Sequence, residues 1–170
     1  MMKRVFVNAS AAKSGGGATI IETFLAAKAH DNKVQYIIAS PVKPKKLGDN
    51  QIWIKKRTSM IGTIFYAMVG SWFVSKKYNC QSIISFSNVN TLLPTRKVTY
   101  FQNMLVLTGS SFKWVAIRYL AKLTLRNNTL VAQTPYVKEQ LLEFFGEQCK
   151  VLVKWPGIDI RKNKNINIDS

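Results

Sequence analysis

The sequence predicts an α/β domain, a parallel sheet with helices on both faces. Three observations predict it. Short apolar runs alternate with longer helical patterns along most of the 170 residues, the order that makes parallel strands joined by crossover helices. The first run passes through a small-residue loop ending Ser14-Gly15-Gly16-Gly17 into a helix. Amides and hydroxyls, not charges, follow the predicted strands, where open α/β sheets bind their ligands.

Taken in order, Val5, Phe6 and Val7 form the first strand, which stops at Asn8. The loop 9–17 follows, then a helix to about His30 with Ile20, Ile21, Phe24 and Leu25 on one face. Residues 34–39 read as a buried strand, 41–50 as a loop punctuated by Pro41, Pro44 and Gly48, and 51–54 as a short strand. Thr58 and Ser59 are placed to cap the next helix, 60–77. No charge falls between Thr58 and Ser75, so a membrane span is the alternative there. Gly62, Thr63, Gly70 and Ser71 dilute that stretch, and its place between strands favours a helix buried on the sheet. Strands are expected at 81–86, 97–101, 130–132 and 151–153, with helices at 112–126 and 135–145. Pro135 suits a first helical turn and Gly146 a helix end.

One domain of ordinary size fits the length, and 47% apolar residues supply its core. The charge is unusual: a formal +17, with no acidic residue between Asp49 and Glu139. That field favours an anionic partner such as nucleic acid, an acidic membrane surface or a phosphate-bearing substrate. Cys80 and Cys149 are isolated thiols without metal-ligand spacing, which points to a reducing cytoplasm and to no metal site. Residues 1–7 are too short for a signal-peptide core. The single histidine, His30, falls at a helix end and reads as a dipole cap.

The glycine loop matches neither G-x-G-x-x-G nor a P-loop, and the second strand ends Ile38-Ala39-Ser40 without a ribose-binding acid. What remains is an anion or sugar site: glycines that let a ligand approach the backbone, and a helix N-terminus offering free N–H groups. The strand-end residues Ser14, Gly15, Gly16, Gly17, Asn88, Gln102, Asn103 and Thr134 are the candidates for binding a polyhydroxylated or phosphorylated ligand. No Ser/His/Asp, Cys/His or metal constellation exists, and no catalytic residue is assigned. Lys113, Arg118, Lys122 and Arg126 spread over one arc of the helix 112–126 with Trp114 at its edge, a pattern suited to an anionic membrane surface.

Five motifs in order then carry a resemblance: Asn8-Ala9-Ser10, Ser14-Gly15-Gly16-Gly17, Tyr100-Phe101-Gln102-Asn103, Ala132-Gln133-Thr134-Pro135-Tyr136-Val137-Lys138 and Trp155-Pro156-Gly157-Ile158-Asp159. The chain resembles the N-terminal, Rossmann-like domain of GT-B glycosyltransferases, within them the family-4-like group. The resemblance covers about residues 1–160. It implies a domain over 1–155, a linker over 156–170, and a C-terminal, donor-binding domain that lies outside the sequence.

By that resemblance the full enzyme would transfer a sugar, of hexosyl type, from a nucleotide-sugar donor to a lipid-linked oligosaccharide or polysaccharide acceptor. The setting would be bacterial envelope or exopolysaccharide biosynthesis. The donor, the one cofactor-like molecule, would bind the missing half and its pair of glutamates. This half would bind acceptor, need a separate C-terminal half as partner, and be inactive alone. Its expected location is cytoplasmic, peripheral at the inner face of the membrane. Some members carry a histidine after the strand that here ends at Phe101. Gln102 and Asn103 stand there instead, and an amide is no general base. A retaining transferase needs none, because the leaving phosphate takes the acceptor proton. The competing reading is a basic α/β module without catalysis, held to nucleic acid or a membrane. Nucleic acid is disfavoured because the cations are dispersed and no binding motif is present.

Overall fold

Phe6 and Val7 point to opposite sides of the first strand, and both are fully buried. A strand covered on both faces belongs at the centre of a sheet, and β1 (Lys3–Asn8) lies there. The structure is a computed structural model and describes residues 2–125, 128–146 and 149–154. Around β1 run β2 (Val34–Ser40), β3 (Gln51–Lys55), β4 (Ser82–Ser85), β5 (Arg96–Tyr100), β6 (Thr129–Ala132) and β7 (Lys150–Val153). The order across the sheet is β3-β2-β1-β4-β5-β6-β7, and every pairing is parallel. This is a Rossmann-like α/β fold.

Helices cover both faces. α1 (Gly15–Lys28) sets Ile21, Phe24 and Leu25 against Val7, Tyr36 and Ile38. The other face takes α2 (Met60–Phe65), a π-helical segment (Tyr66–Gly70) and α3 (Ser71–Lys77). There Tyr66 packs with Phe6, Ile37 and Ile83. Register places Leu130 and Val151 on that same face. They form a larger cluster with Ala121 and Leu125 of α5 (Phe112–Leu125) and Leu141 of α6 (Pro135–Phe145). Each fully buried large apolar side chain stabilises by roughly 1.5–3 kcal/mol.

The helix at 60–77 is a sheet-covering helix, and none of the described helices is long and apolar enough to cross a membrane. Ser59 caps it, its Oγ accepting from Gly62 N at 3.1 Å. Its interior π turn escapes sequence patterning because it is a matter of fit. A Cβ on Gly70 would stand 2.5 Å from Tyr66 Cδ2, so the ring takes the space a side chain would need there.

Two further differences bear on the site. α1 begins at Gly15, so the triple glycine is its first turn and not the loop before it. A short α4 (Leu105–Thr108) follows β5, too brief to leave a periodic signal. The last turn of α1 holds Lys28, while His30 stands exposed beyond the Ala29 cap. The expected boundary at residue 155, the linker and the motif Trp155-Pro156-Gly157-Ile158-Asp159 lie outside the described residues.

Candidate functional site

All seven strands run the same way, so their carboxyl ends share one edge. The chain leaves β1 toward β2 on one side and β4 toward β5 on the other, which opens a crevice above the β1–β4 pair. Buried polar side chains shape its floor. Asn8, fully buried, accepts from Ser10 N at 3.2 Å and Ser10 Oγ at 2.7 Å. Its Nδ2 donates across the crevice to Ser85 Oγ at 3.5 Å and Ser87 Oγ at 3.4 Å. Ser85 Oγ in turn donates to Val89 O at 2.6 Å. The helix-free connection 86–95 is thereby tied down, helped by Asn90 Nδ2 donating to Thr99 Oγ1 at 2.8 Å.

The candidates divide by what their polar atoms already do. Asn88 sits in the left-handed region, φ +56°, and its Oδ1 accepts from Gln102 N at 2.8 Å and Asn103 N at 3.3 Å. It is a clamp on the turn after β5. Asn103 Oδ1 accepts from Leu105 N at 3.0 Å and starts α4. Thr134 Oγ1 accepts from Val137 N at 3.3 Å and caps α6, with Pro135 in its first turn. These three amides and hydroxyls position the rim.

Ser14 and the glycines are different. Ser14 holds the cap position of α1 with extended backbone, yet its side chain makes no capping bond. The first-turn N–H groups of α1 therefore point outward unfilled, with the positive end of the helix dipole. Gly15 has φ +63°, and a Cβ on Gly15 or Gly16 would meet nothing within 4 Å. Both glycines are exposed, so a ligand can reach the backbone there. At Gly17 an added Cβ would lie 3.7 Å from Ala12 Cα and 3.8 Å from Gln102 Oε1. The structure thus brings Gln102 over the first turn of α1, held there by Asn88. Gln102 Nε2 is buried with no hydrogen-bond partner among the described residues. A buried unpaired donor costs about 1–3 kcal/mol, and a ligand oxygen seated on the glycines is the acceptor that would relieve it.

The nearby acid, Glu22, uses Oε1 to accept from Lys45 N at 2.9 Å and pins the β2–β3 loop. Elsewhere burial pushes the Cys80 thiol up to about 11, countered by Arg4, which makes it a poor nucleophile. Among the described residues no group of three or more His, Cys, Asp or Glu could hold a metal ion. Two recesses, about 300 and 600 Å³, open at the opposite edge of the sheet beside Arg4 and Gln81 and beside Asp31 and Lys33. They lie by the amino ends of the strands, far from the crevice.

The arc on α5 is divided by the fold. Trp114 packs against the core cluster, and Arg118 turns inward, its Nε donating to Val106 O at 2.9 Å and its Nη2 to Gly109 O. Lys113 and Lys122 stay exposed, and Arg126 lies outside the described residues. The outer stripe of α5 is instead apolar: Phe112, Val115, Tyr119 and Leu123 are all exposed. The signal was present in the sequence, since the helix is apolar on both sides; only packing says which side the sheet takes.

The sequence matches no protein-family model and no curated protein. Among solved structures, a glycosyltransferase from Rickettsia africae ESF-5 is similar in fold, with a TM-score of 0.51 and 17% identity. The match covers 90% of this chain and 43% of that one, so this chain spans less than half the length of its neighbour.

Proposed function

We propose that this chain is the acceptor-binding side of a GT-B, family-4-like glycosyltransferase that works on a lipid-linked or polysaccharide acceptor. One observation carries the reading: the open glycine turn of α1 beside the unpaired amide of Gln102, at the crevice between β1 and β4. A phosphate or sugar hydroxyl on the acceptor would take the N–H groups of Gly16 and Gly17 and the Nε2 of Gln102. The solved glycosyltransferase of similar fold supports it, and its greater length leaves room for a second domain.

In the transfer we propose, an acceptor hydroxyl attacks the anomeric carbon of a nucleotide sugar. The bond from that carbon to the diphosphate oxygen breaks, and the hydroxyl proton passes to the departing phosphate. Retention on that pattern asks no base of this domain, in keeping with the amides at Gln102 and Asn103. The donor would be held by a second α/β domain, with this chain alone inactive in transfer.

The test is a nitrogen-15 titration of the full chain with a short-chain polyprenyl phosphate and with neutral oligosaccharides. Shifts gathered at the amides of Gly15, Gly16, Gly17 and Gln102 are expected. Shifts at the amino-terminal recess, or none with either ligand, would sink the assignment.

A further inference from the structure

We propose that the π-helical segment Tyr66–Gly70 positions the candidate site from the face of the sheet opposite α1, with Thr91 as the positioning residue. As a statement about ligand binding this rests on the acceptor reading; as a statement about where Gln102 is held it does not. Parallel neighbours are ordinarily joined by a crossover helix, yet residues 86–95 join β4 to β5 without one. Phe86, Val89, Asn90 and Thr91 of that connection are buried all the same. A buried stretch with no helix or ladder of its own must find partners elsewhere for its backbone.

The π segment supplies one such partner. There the helix widens, with Ser71 N donating to Tyr66 O, and π turns set inside α-helices recur at functional sites. Met68 O accepts two bonds from outside its helix, from Leu92 N at 3.0 Å and from Thr91 Oγ1 at 3.1 Å. Thr91 Oγ1 also accepts from Leu93 N at 3.1 Å, and Thr91 O from Lys97 Nζ at 3.1 Å. One fully buried hydroxyl thus fastens the connection to the segment. Ala67 of the same segment shares a core cluster with Val89 and Phe101. Val89 follows Asn88 in the chain, and Phe101 precedes Gln102. Asn88 Oδ1 in turn accepts from Gln102 N and Asn103 N. The segment therefore holds the clamp, and the clamp holds the residue whose Nε2 has no partner among the described residues. Thr91 touches no ligand in the acceptor reading and acts only through Asn88.

The test is amide hydrogen exchange of the full chain, read by nitrogen-15 spectra with no ligand present. Thr91→Val keeps the side-chain shape and removes the hydroxyl. Protection of the Gln102 and Asn103 amides should fall about tenfold or more, beyond the global loss read in a urea melt of the same variant. Thr91→Ser, which restores the hydroxyl, should restore the protection. In an Asn88→Gly background Thr91→Val should change the two amides no further, because the link is already cut. Wild-type exchange decides the matter even where Thr91→Val does not fold: the amides of Leu92, Gln102 and Asn103 should open together as urea is raised. A fall no larger than the global loss, no recovery with Thr91→Ser, or a Leu92 amide that opens apart from Gln102 would overturn the proposal. No ligand takes part, so a failed acceptor titration strikes the acceptor reading and leaves this result standing.

Discussion

Gly16 and Gly15 are neighbours with opposite tolerance for a methyl group. Gly16 has open space and no positive φ, so Gly16→Ala should hold or raise stability by about 0.5–1 kcal/mol. The same methyl stands beside the first-turn N–H groups of α1, and the acceptor binding proposed there should fall about tenfold or more in the titration. Gly15→Ala should destabilise by about 1 kcal/mol, because its φ of +63° is costly for any residue with a Cβ. Asn88 joins two demands, a left-handed backbone and a doubly accepting oxygen. Asn88→Gly relieves the first and loses the second, and should cost roughly 1–3 kcal/mol in a urea melt. Buried phenols set the alkaline limit. Burial pushes Tyr36 and Tyr66 up to about 12, with Asp31 adding to the effect at Tyr36. Between pH 10 and 12 the folded state holds protons the unfolded chain releases. Stability should therefore fall as pH rises, by up to roughly 1.4 kcal/mol per pH unit for each phenol. Lys97, lowered by burial, opposes part of that slope. Urea midpoints at pH 9 and pH 11 check the sign.

At the scale of elements, the apolar runs located every strand, and Ser59 and Pro135 located two helix starts, because those signals are local. The cap at Thr134, read from the sequence as a binding residue, came only from the structure. The π segment was not legible. It depends on Tyr66 reaching the sheet while Gly70 yields to its ring, a contact that no periodicity encodes. Gly70→Ala should drive that ring off its seat and cost about 1–3 kcal/mol in thermal or urea unfolding. α5 teaches the converse lesson. With apolar residues on both sides, its sequence allows two rotations about the helix axis. The sheet settled it by taking Trp114, Ala121 and Leu125, which left Phe112 and Tyr119 outside and pulled Arg118 onto the carbonyls of Val106 and Gly109.

For the whole molecule, +17 on a chain of 170 residues means self-repulsion in the compact state. Raising sodium chloride from 20 to 300 mM (a Debye length falling from roughly 20 to 6 Å) should raise the thermal midpoint. A midpoint that falls over this range would show that specific ion pairs outweigh the repulsion. What the sequence determined by itself was the fold class, the order of elements, and the ring of amides and hydroxyls at the strand ends, since parallel α/β architecture follows from local patterning and short connections. What only the tertiary structure decided was the division of labour within that ring. Asn103 and Thr134 bond to backbone of their own local turns. Asn88 is taken up by the backbone of Gln102 and Asn103 after the next strand, which leaves the glycine turn and the Gln102 side chain open, because folding brings those separate strand ends together.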